Sequence, residues 1–231
     1  MLNLFVTGTD TDVGKTLIST GLLAAFNRLN KQTIGYKPIS AGCEQTEFGL
    51  ENGDAKALQQ YSSVALTLNQ VNPIAFAPPI APHIAAEQVG QTIAASKIMA
   101  GWQRLADLQP DVLLTEGAGG WQLPINNQQC LPEVLTELKP QVIIVVGMRL
   151  GCLNHSLLTV DAIKQKGFEI AGWVANHLCT DMPVATENLS TLKAFIDEPL
   201  IGEVPYLGDD AQSNAVQRVA DCLDVSGLTV I

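Results

Sequence analysis

The sequence predicts an α/β fold, a mostly parallel sheet with helices on both faces, and three observations predict it. Short β-rich apolar runs alternate along the chain with segments whose apolar residues recur at a 3.6-residue period. Strands separated by single helices imply right-handed crossovers, which lay the strands side by side in parallel. A glycine turn then joins the first strand directly to the first helix.

The elements follow in order. Leu2 to Thr7 reads as the first strand, and Lys15 to Leu29 as a helix whose apolar stripe is Ile18, Leu22, Phe26 and Leu29, widened by Leu23. Thr33 to Tyr36 is a short strand ended by Pro38. Asp54–Tyr61 and Ser96–Ala106 read as helices; Val112–Leu114, Val142–Val146, Ala171–Ala175 and Leu200–Val204 read as strands. Further helices are expected near Pro132–Leu138, Ser156–Lys166, Thr186–Ile196 and Ala215–Leu223. Two irregular stretches remain: Pro38 to Gly53, and Asn72 to Pro82 with its four prolines. Structureless stretches of that length in a compact domain usually carry function. No internal repeat interrupts the pattern, so residues 1–231 are expected to form one domain.

Composition excludes several classes of function. The 231 residues hold 13 Lys+Arg against 23 Asp+Glu, a net charge of −10, so little counterion release is available to drive binding to nucleic acid. The 47% hydrophobic content suits a packed core and not a disordered chain. The longest strongly apolar run, Val142 to Met148, is far short of the roughly 20 residues of a membrane span. Residues Met1 to Val6 lack the basic start of a signal peptide. The five cysteines (Cys43, Cys130, Cys152, Cys179 and Cys222) are scattered, without a Cys-x-x-Cys pair. A cytoplasmic protein with no membrane or nucleic-acid partner is the expectation.

The strongest local signal is Gly8-Thr9-Asp10-Thr11-Asp12-Val13-Gly14-Lys15-Thr16, between the first strand and the first helix. In that setting, backbone N–H groups and the helix dipole hold phosphate oxygens, a lysine supplies a point charge, and a threonine hydroxyl ligates Mg²⁺. The two glycines enclose five residues, where the general P-loop pattern has four. A P-loop NTPase-like domain is therefore expected, with Lys15 on the β- and γ-phosphates and Thr16 on the metal. Glu116 stands at the carboxyl end of a buried strand, before Gly117-Ala118-Gly119-Gly120, where a carboxylate can hold Mg²⁺ and glycines let the backbone approach phosphate. Asp54 begins a helix after Asn52-Gly53, which reads equally as an N-cap and as a second metal carboxylate.

With these segments in place, the sequence resembles the dethiobiotin synthetases. The resemblance is carried by the phosphate loop, Tyr36-Lys37-Pro38, Glu116 to Trp121, Val145-Val146-Gly147, Leu150 to His155, Gly172 to Asn176 and Gly202 to Pro205, in the family's order over about positions 4 to 207. The five-residue loop spacing is the family's own form. The resemblance implies an ATP- and Mg²⁺-dependent homodimer that closes 7,8-diaminopelargonate and CO₂ (or bicarbonate) into dethiobiotin, through a carbamate and a carbamic-phosphoric anhydride. It implies catalytic roles for Lys15, Lys37 and Thr11, and nucleotide contacts from Asp12, Val13, Gly14, Lys15, Thr16, Leu17, Asp54, Glu116, Gly117, Ala118 and Gly119. Asn176, His177, Pro205, Tyr206, Leu207 and Gln212 are implied around the base, and Thr16, Asp54 and Glu116 around Mg²⁺.

Substrate contacts are implied for Asp12, Lys37 and Ser40, with Gly151, Cys152, Leu153 and Asn154 binding the carboxylate tail from the neighbouring subunit. Asp12 orients a substrate amine on this reading, or only sets the loop and a metal-bound water. The sequence departs from the family in two places. Ala41 precedes Gly42 where the family has Ser or Thr, leaving Ser40 one residue away as a substitute on the other side of an extended segment. His177 follows Asn176 where an acid is common. A ParA- or MinD-like switch ATPase is the rival class, but those carry lysine after the first loop glycine, and Thr9 stands there. An amidotransferase synthetase would need a glutaminase domain, for which no room follows Leu207.

Overall fold

The computed structural model describes residues 1–208 and 214–228; Gln212 lies outside the described residues. In chain order, β1 (Leu2–Gly8), α1 (Lys15–Arg28) and β2 (Thr33–Tyr36) come first. The short β3 (Ile39–Ser40), β4 (Glu44–Thr46) and β5 (Gly49–Glu51) precede α2 (Gly53–Tyr61), α3 (Leu68–Val71), β6 (Ile74–Ala75) and α4 (Pro82–Gln88). Then come α5 (Ala95–Ala106), β7 (Val112–Gly120), α6 (Leu131–Leu138), β8 (Gln141–Met148) and α7 (Cys152–Gln165). The last elements are β9 (Ile170–His177), α8 (Ala185–Phe195), β10 (Leu200–Val204) and α9 (Ala215–Asp221).

Six strands form one parallel sheet in the order β10-β9-β8-β1-β7-β2. The chain leaves β1 toward β2, returns with β7 between them, and crosses to β8 on the other side of β1. That reversal puts a crevice at the carboxyl end of β1, where open α/β sheets bind ligands. Both faces are covered, and alternation within strands divides the core. Leu4, Val6, Ile143 and Val145 pack toward α1 and α9, while Phe5, Val142, Ile144 and Val146 pack in the cluster that includes residues of α5, α6, α7 and α8.

The predicted strands and long helices are present, with three differences. The first concerns β7, which does not stop before Glu116: it runs on through the glycines, pairing Val6 with Glu116 and Gly8 with Gly120. A Cβ at Gly117 would lie 2.9 Å from the Phe5 ring, so the strand continues only because no side chain intrudes. Trp121 then closes edge-on against Phe5 and Phe168 at 5.9 and 5.2 Å and fixes the strand's exit. The second difference is in the irregular stretches: Pro38–Gly53 contains the β4–β5 hairpin, and Pro82 opens α4 from its first turn, where a missing N–H costs nothing. The third is at helix ends. Leu29 follows α1 and is exposed, unlike Ile18, Leu22, Leu23 and Phe26, and α7 begins at Cys152, ahead of the expected Ser156. Among the described residues, no helix is long and apolar enough to cross a membrane.

Candidate active site

The phosphate loop is held by its ends. Gly14 caps α1 with φ +88°, a left-handed conformation that glycine adopts without penalty. Asp12 also takes positive φ, at 57°, and lies exposed beside Thr11. From beneath, Asn176 at the end of β9 donates through Nδ2 to the Val13 carbonyl at 2.9 Å; a Cβ on Gly14 would sit 2.3 Å from that nitrogen. Val13 is buried, whereas Leu17 is half-buried against the α1 side of the core. Gly8 is as constrained, because a Cβ there would meet the Asp10 carbonyl at 2.8 Å.

Four charged side chains converge beside the loop. Lys37 follows β2 and is 4% exposed; its Nζ lies 2.5 Å from Glu116 Oε1 and 3.0 Å from Asp54 Oδ2. Thr16 Oγ1 donates to the same Glu116 Oε1 at 2.8 Å. Lys15 is buried, and its Nζ donates to the Asp10 carbonyl at 3.0 Å. Two ammonium groups and two carboxylates balance, so the cluster is neutral before any phosphate arrives.

The environment tunes these groups. Burial opposes the charge on Lys37, but Glu116 and Asp54 outweigh it and hold the ammonium pKa above its ordinary value. Burial, and then the neighbouring Lys37, hold Lys15 below its ordinary value, a penalty that an arriving anion relieves. Burial works against the Asp54 carboxylate, yet Lys37 prevails and holds it below the usual range.

The donor set fits a divalent cation. Glu116 is 1% exposed and its Oε2 is buried without a hydrogen-bond partner, an arrangement that costs free energy unless a further group satisfies it. Thr16, Asp54 and Glu116 supply the hard oxygens that such a cation takes. Asp54 is not the N-cap of α2. That place belongs to Asn52, whose side chain accepts from the Ala55 N–H at 3.2 Å, freeing Asp54 for Lys37.

A cavity of about 910 Å³ opens over this cluster, lined by Thr11, Asp12, Gly14, Lys15, Thr16, Leu17, Lys37, Ser40, Asp54, Ala118 and Gly119, and closed by Pro79 to Pro82. The second proline-rich stretch is thus a wall of the site. Ser40 is 1% exposed, and its hydroxyl donates to Asn72 Oδ1 at 2.7 Å. That bond takes up the hydroxyl expected to stand in for the one Ala41 lacks. Asn72 in turn donates to the Lys37 carbonyl at 2.7 Å.

Other expected residues lie apart. Gly117 is buried within β7. Asn176 is buried and its amide N–H serves the Val13 carbonyl, so that donor is not directed at a base. His177 faces Glu203 at 3.0 Å, and Pro205, Tyr206 and Leu207 follow β10 at the same edge of the sheet. Gly151 caps α7 with φ +96°; Cys152 is buried, Leu153 half-buried and Asn154 exposed, all outside the lining of the cavity. Residues missed from the sequence include Asn52, Asn72, Asp10 and Arg149. An Asn three residues before a helical N–H was a readable cap signal for Asn52; the others act across long sequence separations.

A parallel sheet with a phosphate loop at its reversal point defines a P-loop NTPase-fold domain, and a family model described as an AAA domain matches residues 2–213. Two solved structures share the fold with TM-scores of 0.57. They are MinD with Mg-ADP from Pyrococcus horikoshii OT3 (14% identity, 98% of this chain and 89% of that one) and a ParA family ATPase from Chlorobium tepidum TLS (11% identity, all of both chains). Sequence similarity is far more specific. The ATP-dependent dethiobiotin synthetase BioD of Cellvibrio japonicus is 50% identical over 203 residues, 88% of this chain and 89% of that protein. Those of Alteromonas mediterranea (50% over 216 residues, 89% and 93%) and Pseudomonas aeruginosa UCBPP-PA14 (46% over 217, 94% and 95%) match as fully. The chain belongs to the dethiobiotin synthetase family.

Proposed function

We propose that this protein is a cytoplasmic, homodimeric synthetase of one domain that uses ATP to close 7,8-diaminopelargonate and CO₂ into dethiobiotin, in the biosynthesis of biotin. The observation that carries the reading is the neutral cluster beside the phosphate loop, in which Lys15, Lys37 and Glu116 are buried and Asp54 is half-exposed. Phosphoryl transfer is catalysed chiefly by positioning and by neutralising the charge on the transferring group, and this cluster is suited to both.

An amine of the substrate adds CO₂ to give a carbamate, losing a proton. A carbamate oxygen then displaces ADP from the γ-phosphate. The second amine attacks the carbamate carbon and loses a proton, phosphate leaves with the bridging oxygen, and the ureido ring is closed. Lys15 and Lys37 stabilise the charge on the transferring group, and Thr11 donates from the loop's exposed rim. Asp12 is close enough to that rim to orient an amine. Thr16, Asp54 and Glu116 would hold Mg²⁺, and the unsatisfied Glu116 Oε2 supports that assignment. When bound, the cation draws charge from the phosphate oxygens and keeps them aligned. Asn176, His177 and Pro205 to Leu207 lie at the edge of the sheet suited to the nucleoside.

The carboxylate tail requires a second anion site. The start of α7, Gly151 to Asn154, is suited to that by the backbone N–H groups of its first turn, of which that of Cys152 already donates to the Arg149 carbonyl. Leu150, 98% exposed, and Leu158, 60% exposed, leave apolar surface on the same stretch, which supports a partner subunit there. Five free cysteines suit a reducing compartment. The direct test is ATP hydrolysis with and without the diamine and bicarbonate. Hydrolysis is expected only with both; hydrolysis indifferent to either would favour a switch ATPase.

A further inference from the structure

The phosphate loop poses an electrostatic problem. It carries two carboxylates, Asp10 and Asp12, on either side of Thr11, yet it must accept a polyphosphate. We propose that Arg149 solves half of it, as a positioning residue that neutralises Asp10 and holds the loop in its anion-accepting form.

Three contacts meet on Asp10. Its Oδ2 accepts from Arg149 Nη2, its Oδ1 accepts from the Thr11 N–H at 2.7 Å, and its backbone carbonyl accepts from Lys15 Nζ at 3.0 Å. The Asp10 carboxylate is therefore shared between the loop's own Thr11 N–H and Arg149, which follows the end of β8. Arg149 is anchored in its own turn, because its carbonyl accepts from the Cys152 N–H at 3.0 Å as α7 begins. One residue thus ties the phosphate loop to the start of the helix proposed to hold a neighbour's substrate. Lys15 can leave the Asp10 carbonyl for an incoming phosphate without releasing Asp10, since the Arg149 contact is made by the side chain.

The pair is half-exposed, with side chains 42% and 44% accessible, so it contributes little to folding. Its effect falls on ligand charge. An uncompensated carboxylate several ångströms from a multiply charged phosphate weakens binding by about tenfold at a surface-like dielectric.

The inference rests on the reading of the loop as an ATP site, not on the carboxylation chemistry. Calorimetric titration with ATP and Mg²⁺, without diamine, tests it on the full chain. Arg149→Gln should bind ATP roughly tenfold more weakly with an unchanged melting temperature, and Arg149→Lys should retain most of the affinity. Asp10→Asn should stay within about threefold of the parent, because the amide oxygen can still accept from Thr11. The double variant Arg149→Gln/Asp10→Asn should regain the lost affinity. Failure of that rescue would mean that Arg149 touches phosphate itself and would overturn the inference, as would parent-like binding by Arg149→Gln. A parent protein that does not bind ATP would overturn the functional reading as well.

Discussion

The carboxyl ends of β1, β2 and β7 share one edge of the sheet with those of β9 and β10, yet the two regions are built on different terms. The first gathers four charged groups, with Lys37 4% and Glu116 1% exposed. The second presents half-exposed and exposed groups: His177 against Glu203, then Pro205 and its neighbours. Fixed charges are worth most where water is excluded, so groups that must neutralise a transferring phosphate are buried and paired. On the proposed reading the second region only selects a base or ribose, and such groups can stay wet, since their contacts need not change along the reaction. Asn176 joins the regions: it ends β9 but bonds to the loop at Val13.

Substitutions can test that contrast, and the largest effect belongs to Lys37. In Lys37→Leu, turnover should fall by roughly 10³-fold while ATP still binds, because Lys37 lies beyond the loop's own phosphate contacts. Glu116 then loses its buried cation, which should cost about 3 kcal/mol of stability in denaturant unfolding, partly restored by Mg²⁺ with ATP. A variant as stable as the parent without ligand would deny that the cluster is a coupled buried unit. Asn176→Ala comes next. Without its bond to Val13 the loop loosens, and the KM for ATP should rise about tenfold with kcat changed less, for a stability loss of about 1 kcal/mol. Equal losses in kcat would put Asn176 in the first region and not between the two.

Smaller effects separate scaffold from chemistry. Ser40→Ala should cost about 1 kcal/mol of stability and little turnover, since the hydroxyl is bonded to Asn72. A large rise in the KM for the diamine would return Ser40 to the substrate. The slightest effect concerns acid. Lys37 holds the Asp54 pKa below its ordinary 3.8, so Asp54 contributes stability above that pH and loses it as pH falls through the depressed value. Unfolding curves of Asp54→Asn and the parent should therefore converge at strongly acid pH, separate as pH rises toward 3.8 and keep that separation above it; parallel curves throughout would deny the Lys37–Asp54 coupling.

The same contrast sets what the sequence made legible. The six sheet strands and long helices announce themselves through local hydrophobic period; Lys15 and Thr16 open a helix, and Glu116 follows an apolar strand run, that periodicity locates. The β7 extension through three glycines and Ala118 was not readable, because Gly117 is allowed there by Phe5 on a neighbouring strand. Nor were the contacts of Ser40 with Asn72, or of Asp10 with Arg149, which join residues 32 and 139 positions apart. For Asp54 the sequence left a cap and a metal carboxylate equally open, and the structure removes the cap because Asn52, two residues earlier, takes that role. Side chains that act locally could be read; those that act through the fold could not.

The central claim is that a carbamate oxygen attacks the γ-phosphate within the buried cluster. It is tested by running the reaction with freshly dissolved C¹⁸O₂ and measuring ¹⁸O in the released phosphate. Attack by carbamate predicts one labelled oxygen in each phosphate, formed with one labelled ureido carbonyl in dethiobiotin. Phosphate without ¹⁸O, its fourth oxygen taken from water, would contradict it and assign the cluster to simple ATP hydrolysis.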